Sequence, residues 1–371
     1  LYYFKDGVVD TNYTGTAKYQ DTIYYCENGQ VKYTYTGFGK YEDQWYYFEK
    51  SIIDEEKEDI IYNTVAAEWW YVKDGVFQSD TETIAHNANG WFYVKNGVVD
   101  FDFTGVSENS NGIYYCQNGQ VTFSYIGFGE YKGDWYYFER SAVATEKEDI
   151  IYNAEKNQWW YVENGKFQSN ADTIAHNANG WYYVKDGIVD FGFTGVSENS
   201  NGIYYCQDGK VTFGYTGFGQ YKETLYYFRG SSVARDVTGV MYNGEKGWIY
   251  VKAGAYDPTY TGFASNGSST WYFENGVAAT EKTGLYLIGE ECVYLTKGQV
   301  DTTVAGFYEM SGDYYYIVNG RTTDVEDIIY NADTGEWWYV ENGKFQSNAE
   351  TITHNANGWY YVKDGIVDFG F

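Results

Sequence analysis

The chain is poor in proline, cysteine, histidine and basic residues. Its 371 residues include 1 Pro, 4 Cys, 3 His and 25 Lys plus Arg, against 52 Asp plus Glu, so the formal net charge is −27. Binding to nucleic acid needs a concentrated basic surface that displaces counterions, and an anionic membrane surface also attracts basic segments. The charge therefore argues against both partners. No apolar run approaches the roughly 20 residues that a membrane helix needs, which predicts no membrane insertion.

Aromatic residues and glycine are abundant instead. Aromatic residues make up 22% of the chain, as 13 Trp, 45 Tyr and 22 Phe, and there are 43 Gly. Aromatic side chains favour the pleated, half-buried surface of a sheet, and glycine supplies tight turns. The composition predicts short strands joined by tight turns, and it argues against a helix-rich fold.

A repeat of 90 residues runs along the chain. Residues 91–100 read WFYVKNGVVD, residues 181–190 read WYYVKDGIVD and residues 271–276 begin WYFENG, while residues 327–371 almost copy residues 149–193. Each block contains four units of 22 to 24 residues. Self-similarity at a fixed period is typical of a solenoid whose units cannot bury a core alone. We therefore predict an all-β, repetitive β-hairpin solenoid of about seventeen 22-residue units, four units per 90-residue block.

We expect one solenoid over residues 1–371, in blocks of about 1–90, 91–180, 181–270 and 271–358 with a partial block at 359–371. Both ends of the sequence fall inside the repeating pattern. The chain is therefore expected to be a fragment of a longer protein.

Most units carry Asn-Gly or Asp-Gly between alternating segments, which is the strongest short signal of a hairpin. Pairing across Asp186-Gly187 places Val184 opposite Val189, Tyr183 opposite Asp190 and Tyr182 opposite Phe191. Because side chains alternate between the faces of a strand, this pairing predicts a core face and a second face. The core face would hold Tyr182, Val184, Val189, Phe191 and Phe193, and the second face would hold Trp181, Tyr183 and Asp190.

The same pairing sorts the tryptophans. It makes Trp70, Trp160 and Trp338 core residues and places the other ten at one equivalent position on the second face. Volume compensation supports this assignment, because Trp160 would face the small Ser169 where Tyr182 faces a large phenylalanine.

Cysteine and histidine follow the repeat. Cys26, Cys116 and Cys206 fall on the predicted core face. Stacked hairpins would hold them on the order of 40 Å apart, so buried thiols are favoured over disulfides. Cys292 fits no position in this pattern. The histidines recur in IAHNANG or ITHNANG without a partner at ligand spacing, which favours repetition of a turn sequence over a zinc site; they are His86, His176 and His354.

The EKED and VEDI runs lack the calcium-loop pattern and are interpreted as solvated loops. The chain also has no nucleophile elbow, phosphate-binding loop or HExxH helix. We therefore predict a protein that is not an enzyme and needs no cofactor or metal.

The segment NGWYYVKDGIVDFGFTGV at residues 179–196 resembles the cell-wall-binding repeats of Gram-positive surface proteins. This group includes choline-binding modules, glucan-binding regions of glucosyltransferases and receptor-binding repeats of clostridial toxins, and the resemblance spans essentially the whole chain. It implies a non-catalytic hairpin solenoid, located at the bacterial cell surface or secreted, with ligands in shallow pockets between consecutive hairpins. Choline-binding repeats carry Trp directly after the loop Gly, whereas this position holds Phe, as at Phe38 and Phe263, or Val, as at Val106.

The resemblance implies that aromatic residues of the second face line the pockets, where they could stack on a sugar ring or surround a quaternary ammonium. An alternative is that these side chains only pack against the neighbouring hairpin. The expected ligand-binding residues are Trp69, Trp91, Tyr93, Trp159, Trp181, Tyr183, Trp337, Trp359 and Tyr361.

Three functions follow from the sequence. The first is a non-catalytic surface module that recognises a carbohydrate or cell-wall polymer. The second is an adhesin that binds a host protein, such as an immunoglobulin or a mucosal glycoprotein, because Tyr and Trp are common at interfaces and the charge would steer a basic partner. The third is a rigid stalk that displays another domain.

Overall fold

The computed structural model describes residues 1–371, and every regular element in it is a β-strand. Each repeat of about 22 residues forms one step of the solenoid. A step contains a hairpin of two longer strands, and in most steps a short third strand follows. In one such step these are Thr173–Asn177, Gly180–Lys185 and Ile188–Val189. The predicted all-β hairpin solenoid of about seventeen units is confirmed, with sixteen hairpins preceded by one short strand pair. No helix is long and apolar enough to span a membrane.

Asp-Gly and Asn-Gly form the turn between the second and third strands. Asp186 and Gly187 have φ angles of 49° and 77°, which match the two left-handed residues of a type I′ turn. The pairs Val184↔Val189 and Lys185↔Ile188 flank this turn. The glycine is also needed for space, because a Cβ on Gly187 would lie 2.4 Å from the carbonyl oxygen of Gln168.

The third strand connects one hairpin to the hairpin before it. Ile188 pairs with Trp160 of the preceding hairpin as well as with its own second strand. The carbonyl of Gly187 accepts a hydrogen bond from the N–H of Tyr161 at 2.8 Å, and its own N–H donates to the carbonyl of Ala171 at 3.0 Å. Backbone hydrogen bonds therefore join consecutive steps.

The chain divides into two compact units, residues 1–192 and 193–371. The first begins with the pair Phe4–Lys5 and Val8–Val9. Its hairpins are Gly15–Tyr19 with Thr22–Cys26, Gly37–Tyr41 with Gln44–Glu49, Asp59–Asn63 with Glu68–Lys73, Thr83–Asn87 with Gly90–Lys95, Gly105–Asn109 with Gly112–Cys116, Gly127–Tyr131 with Asp134–Glu139, Asp149–Asn153 with Gln158–Glu163, and Thr173–Asn177 with Gly180–Lys185. Its other third strands are Ile52–Ile53, Val76–Phe77, Val98–Val99, Ala142–Val143, Lys166–Phe167 and Ile188–Val189.

The second unit repeats this arrangement in one 23-stranded sheet. Its hairpins are Gly195–Asn199 with Gly202–Cys206, Thr216–Tyr221 with Thr224–Arg229, Gly239–Asn243 with Gly247–Lys252, Gly262–Ser265 with Thr270–Glu274, Gly284–Ile288 with Glu291–Thr296, Gly306–Met310 with Asp313–Val318, Asp327–Asn331 with Glu336–Glu341, and Thr351–Asn355 with Gly358–Lys363. Its third strands are Ser232–Val233, Ala255–Tyr256, Val277–Ala278, Gln299–Val300, Arg321–Thr322, Lys344–Phe345 and Ile366–Val367.

One position of the second strand forms the centre of the core in every step. It is occupied by Val, Phe, Cys, Leu or Ile, and no occupant is more than 3% exposed. The predicted burial of Cys26, Cys116 and Cys206 at this position is confirmed. Cys292 is also buried, at the position that Trp181 occupies in its own hairpin.

The predicted division into two faces is correct for Val184 and Val189 but wrong for Tyr183 and Phe191. Tyr183 is only 7% exposed and Phe191 is 53% exposed. The third strand ends at Val189, so the alternation predicted across the turn does not continue beyond it. Tyr183 pairs instead with Ile174 of the first strand, where packing covers both sides of the strand.

The core assignment of Trp70, Trp160 and Trp338 is confirmed, since each is between 4% and 6% exposed. The prediction that the other ten share one outer position is wrong at Trp271, which is 9% exposed. Trp271 pairs with Gln299 in the way that Trp160 pairs with Ile188, and it therefore belongs to the core set.

Half-buried phenols and buried thiols predict a loss of stability at alkaline pH. Burial raises the pKa of Tyr35, Tyr125, Cys116 and Cys206 to about 12. In the unfolded chain the pKa is about 10 for tyrosine and about 8.5 for cysteine. The unfolded chain therefore loses these protons at lower pH than the folded chain, and stability falls as pH rises toward 12. Urea unfolding followed by circular dichroism should give a midpoint that falls between pH 9 and pH 12. A smaller fall is expected for Tyr125→Phe, and a constant midpoint would contradict the prediction.

Candidate aromatic binding site

A small aromatic pocket lies between two consecutive hairpins of the first unit, with a volume of about 190 Å³. One hairpin contributes Trp69, and the next contributes Phe92 and Phe101 as two further aromatic walls. The remaining lining residues are Ile60, Asn87, Asn89 and Val99. None of the lining residues is charged.

The same pocket occurs again 90 positions later along the chain, with a volume of about 100 Å³. Trp159, Tyr182 and Phe191 now form the aromatic walls. Every lining residue corresponds to one in the first pocket, and the one difference in residue type is Tyr182 in place of Phe92; the others are Ile150, Asn177, Asn179 and Val189.

A third copy of the aromatic set lies in the second unit and consists of Trp337, Tyr360 and Phe369. The rings of Tyr360 and Phe369 are 6.1 Å apart at 80°. Those of Tyr182 and Phe191 are 6.0 Å apart at 77°, and those of the first copy are 6.0 Å apart at 75°. The geometry of these two walls is therefore the same in all three copies.

The asparagine that follows the histidine holds each pocket in shape. The side-chain amide of Asn87 donates to the carbonyl of Ile60 in the preceding hairpin at 3.2 Å, and its Oδ1 accepts from the N–H of Asn89 at 2.8 Å. Asn177 and Asn355 make the same two contacts. This side chain is thus committed to joining two hairpins, which leaves the aromatic rings as the main contact surface of the pocket.

Several aromatic rings outside these pockets are already covered by the protein's own cations. Lys156 Nζ lies 4.8 Å from the ring centre of Trp135. The guanidinium of Arg321 lies 4.3 Å from the ring of Phe263, and it also pairs with Glu291 at 2.6 Å. Phe263 is one of the residues directly after a loop Gly, so at this step an internal cation occupies the aromatic face.

The structure separates the predicted tryptophans into two groups. Trp69 and Trp159 line the pockets, and Trp337 occupies the equivalent place. The other three pair across the hairpin with a histidine and stack on it at 4.6 to 4.7 Å; these pairs are Trp91 with His86, Trp181 with His176, and Trp359 with His354. This pairing accounts for the recurrence of histidine at the end of the first strand.

The stacked tryptophans differ in exposure. Trp91 is half-buried and packs against a cluster that includes Cys116 and Val121 of the following hairpin. Trp359 is 71% exposed, because the described chain has no hairpin after its own. Cover by the next hairpin therefore determines how much of this position is accessible.

The predicted tyrosines face the core or the loop after the turn. Tyr93 is 2% exposed, stacks on Phe103 at 3.7 Å and donates its hydroxyl to Glu82 at 2.6 Å. Burial and this hydrogen bond raise the pKa of Tyr93. Tyr361 makes the equivalent contacts with Phe371 and Glu350, and Tyr183 is likewise buried. Neither Tyr93 nor Tyr183 lines either of the two aromatic pockets.

Sequence reasoning missed the second and third walls of the pocket. Alternation predicts both Tyr182 and Phe191 in the core: Tyr182 does pack against the core cluster that contains Val184 and also lines the pocket, whereas Phe191 is exposed. The repeat pattern carries no signal for the role of Asn177. One signal was available, because Phe follows the VVD or IVD sequence at Phe101, Phe191 and Phe369, in the steps that come after a WWYV unit.

A sequence model of the choline-binding repeat matches eleven segments, which together cover more than half of the chain. They are residues 12–32, 34–54, 80–100, 102–122, 151–167, 170–190, 192–212, 236–257, 259–278, 329–345 and 350–368. No curated protein matches the chain in sequence.

Similar solved structures include CbpJ from Streptococcus pneumoniae, with 19% identity and a TM-score of 0.24 over 82% of this chain and 100% of that one. Choline binding protein F from Streptococcus pneumoniae has 16% identity and a TM-score of 0.20 over 90% and 98% of the two chains. The modular autolysin LytC from Streptococcus pneumoniae has 13% identity and a TM-score of 0.18 over 82% of this chain and 50% of that one. With its hairpin repeats matched over more than half of their length, the chain belongs to the choline-binding repeat family.

Proposed function

We propose that this chain is a non-catalytic attachment module of the bacterial cell surface, whose aromatic pockets bind the choline groups of a cell-wall polymer. The observation that carries the proposal is the repeated set of three aromatic walls around a small space without charged residues. Membership of the choline-binding repeat family supports the choice of ligand.

The chemistry of the pocket suits a trimethylammonium group. Each ring presents a negative face, and contact between a desolvated cation and such a face contributes about 2 kcal/mol. The chain's net charge of −27 favours the approach of a cation. A sugar ring would need several polar partners, whereas Asn87 and Asn177 already use their side chains to join hairpins.

The third wall explains how choline could be held without Trp after the loop Gly. Phe101, Phe191 and Phe369 occupy this wall in the three copies, and each directly follows the aspartate of VVD or IVD. The choline-binding role therefore does not depend on the positions occupied by Val106 and Val196.

Repetition would turn weak sites into stable attachment. Once one pocket has bound a choline on a polymer, binding at a second pocket becomes effectively intramolecular. A single site with an affinity of the order of 1 mM would be enough for retention on a wall that carries many cholines.

Titration of the intact chain with choline tests the proposal. We expect saturable quenching of tryptophan fluorescence in the millimolar range, and no response to 3,3-dimethyl-1-butanol, which has the same shape without the charge. Equal binding of the neutral compound, or no saturable binding of choline, would contradict the proposal. Saturable binding of an immunoglobulin or mucosal glycoprotein in place of choline would favour the adhesin function.

A further inference from the structure

A polar cleft in the second unit departs from the aromatic pattern. It lies between the hairpin Gly262–Ser265 with Thr270–Glu274 and the hairpin that follows, and its volume is about 410 Å³. Small-molecule sites typically occupy about 300 to 1,000 Å³, so the cleft is large enough for a ligand. Hydroxyl, amide and carboxylate side chains dominate its lining, among them Ser269, Thr270, Thr296, Gln299, Asp301 and Thr302.

The cleft occupies the same step of the repeat as an aromatic pocket, counted from the turn glycines. Thr270 stands where Trp159 stands in its hairpin, and Thr302 stands where Phe191 follows the aspartate. Val293 takes the place of Tyr182 in the second strand of the following hairpin. All three aromatic walls are thus replaced, two of them by threonine, so a trimethylammonium group would have no aromatic surface to contact there.

The indole of Trp271, two residues after Ser269 of the cleft, lacks the hydrogen-bond partner that its equivalents have. The equivalent Trp70, Trp160 and Trp338 donate from Nε1 to a Glu or Gln side chain two residues earlier, at 2.9 to 3.0 Å. Ser269 occupies that place before Trp271, and it lines the cleft. Trp271 is 9% exposed and its Nε1 has no hydrogen-bond partner. A buried donor without an acceptor is costly, and the small Ser269 of the cleft stands here in place of a stabilising Glu or Gln.

The polar character extends to the neighbour of Trp271. Gln299 pairs with Trp271 across the sheet, whereas the equivalent partners of Trp70, Trp160 and Trp338 are the apolar Val98, Ile188 and Ile366. An amide can both donate and accept, which suits the hydroxyl groups of a ligand.

The charge of the cleft limits the ligand further. Asp301 accepts hydrogen bonds from the hydroxyl of Thr303 at 2.6 Å and from that of Thr296 at 2.8 Å, and these bonds lower its pKa. Its carboxylate therefore remains ionised at neutral pH, and no basic side chain lines the cleft. A negatively charged ligand such as an acidic sugar would be repelled.

We infer that this cleft is a second site, chemically different from the aromatic pockets, which binds a neutral sugar unit of a polysaccharide. The threonines, Gln299 and Asp301 would contact sugar hydroxyls. The chain would then bind two components of a surface polymer, choline and a neutral sugar, at separate sites.

Saturation-transfer difference NMR on the intact chain, with a panel of neutral oligosaccharides containing glucose, galactose or N-acetylglucosamine, tests the inference. At least one of them should give a saturable signal that an excess of choline does not displace. Thr302→Phe restores the residue type of the aromatic pockets and fills the cleft, and it should weaken binding at least about tenfold. Gln299→Ile introduces the residue type that pairs with Trp160, and it should weaken binding as well. This variant provides a second measurement if Thr302→Phe does not fold.

Phe191→Thr is the matched control, because it makes the reverse change in an aromatic pocket. It should leave sugar binding unchanged. No saturable signal from any member of the panel would overturn the inference, and so would unchanged binding by folded Thr302→Phe or Gln299→Ile. These outcomes are independent of choline binding, so the two sites can fail separately.

Discussion

Replacement of Trp69, Trp159 and Trp337 together by Ala is expected to abolish retention of the chain on a choline-coated surface. Each change removes one ring of a three-ring aromatic set and about 2 kcal/mol of cation–π attraction, which is more than tenfold in affinity per site. The loss of all three also removes the gain from multivalent contact, which amounts to about 10²-fold to 10⁴-fold. Surface plasmon resonance should show a graded loss through the single and double variants.

The matched control is the triple change of Trp91, Trp181 and Trp359 to Ala. It removes the same number of indoles, but these stack on histidines outside the pockets. Retention on choline should remain within about threefold of the parent chain, provided that circular dichroism shows intact strands. Equal loss in both triple variants would mean that the pockets are not the binding sites.

Phe138→Ala is expected to destabilise the first unit by about 3 to 5 kcal/mol. Phe138 is 0% exposed, occupies the central core position of its hairpin, and lies 6.0 Å from the ring of Tyr115 and 6.2 Å from that of Tyr125. Its removal leaves a cavity between two hairpins, which the stacked backbone cannot close because hydrogen bonds set the spacing of the steps. Urea unfolding followed by circular dichroism and tryptophan fluorescence measures the change.

Phe123→Ala provides the comparison, because Phe123 belongs to the same unit and is 52% exposed. Its change in free energy of unfolding should stay within about 0.5 kcal/mol. If the two variants unfold at the same urea concentration, the central position does not carry the stability that its burial implies.

The sequence predicted the turn between the second and third strands and the central core position well, because both depend on local chemistry. Asp186-Gly187 favours a type I′ turn wherever it stands, and this turn alone sets Val184 opposite Val189. The burial of Cys116 follows from its equivalence to Val184 in the repeat. For the same reason the period predicted the core role of Trp160.

The sequence did not predict the pocket walls, because they depend on where pairing stops. The third strand ends at Val189, and this left Phe191 exposed at the mouth of a pocket although alternation predicted it in the core. Trp159 and Trp181 occupy equivalent positions in their own hairpins, yet one lines a pocket and the other stacks on His176. Each of these tryptophans contacts the ring opposite it in its own hairpin, Tyr152 or His176. The other two pocket walls, Tyr182 and Phe191, belong to the hairpin after Trp159, so a single repeat unit does not specify the pocket.

By itself, the sequence determined an all-β repetitive chain, its Asp-Gly and Asn-Gly turns and the residue at the centre of each core, since turn chemistry and the repeat period depend on residues that are close together in the chain. Only the tertiary structure decided which aromatic residues face a ligand and where a polar cleft replaces them. Both kinds of site form between consecutive hairpins, so their walls combine residues about 22 to 32 positions apart, such as Trp159 with Phe191 and Thr270 with Thr302. Hydrogen bonding between consecutive steps brings those residues together, which is why the sites appear only once the hairpins are stacked.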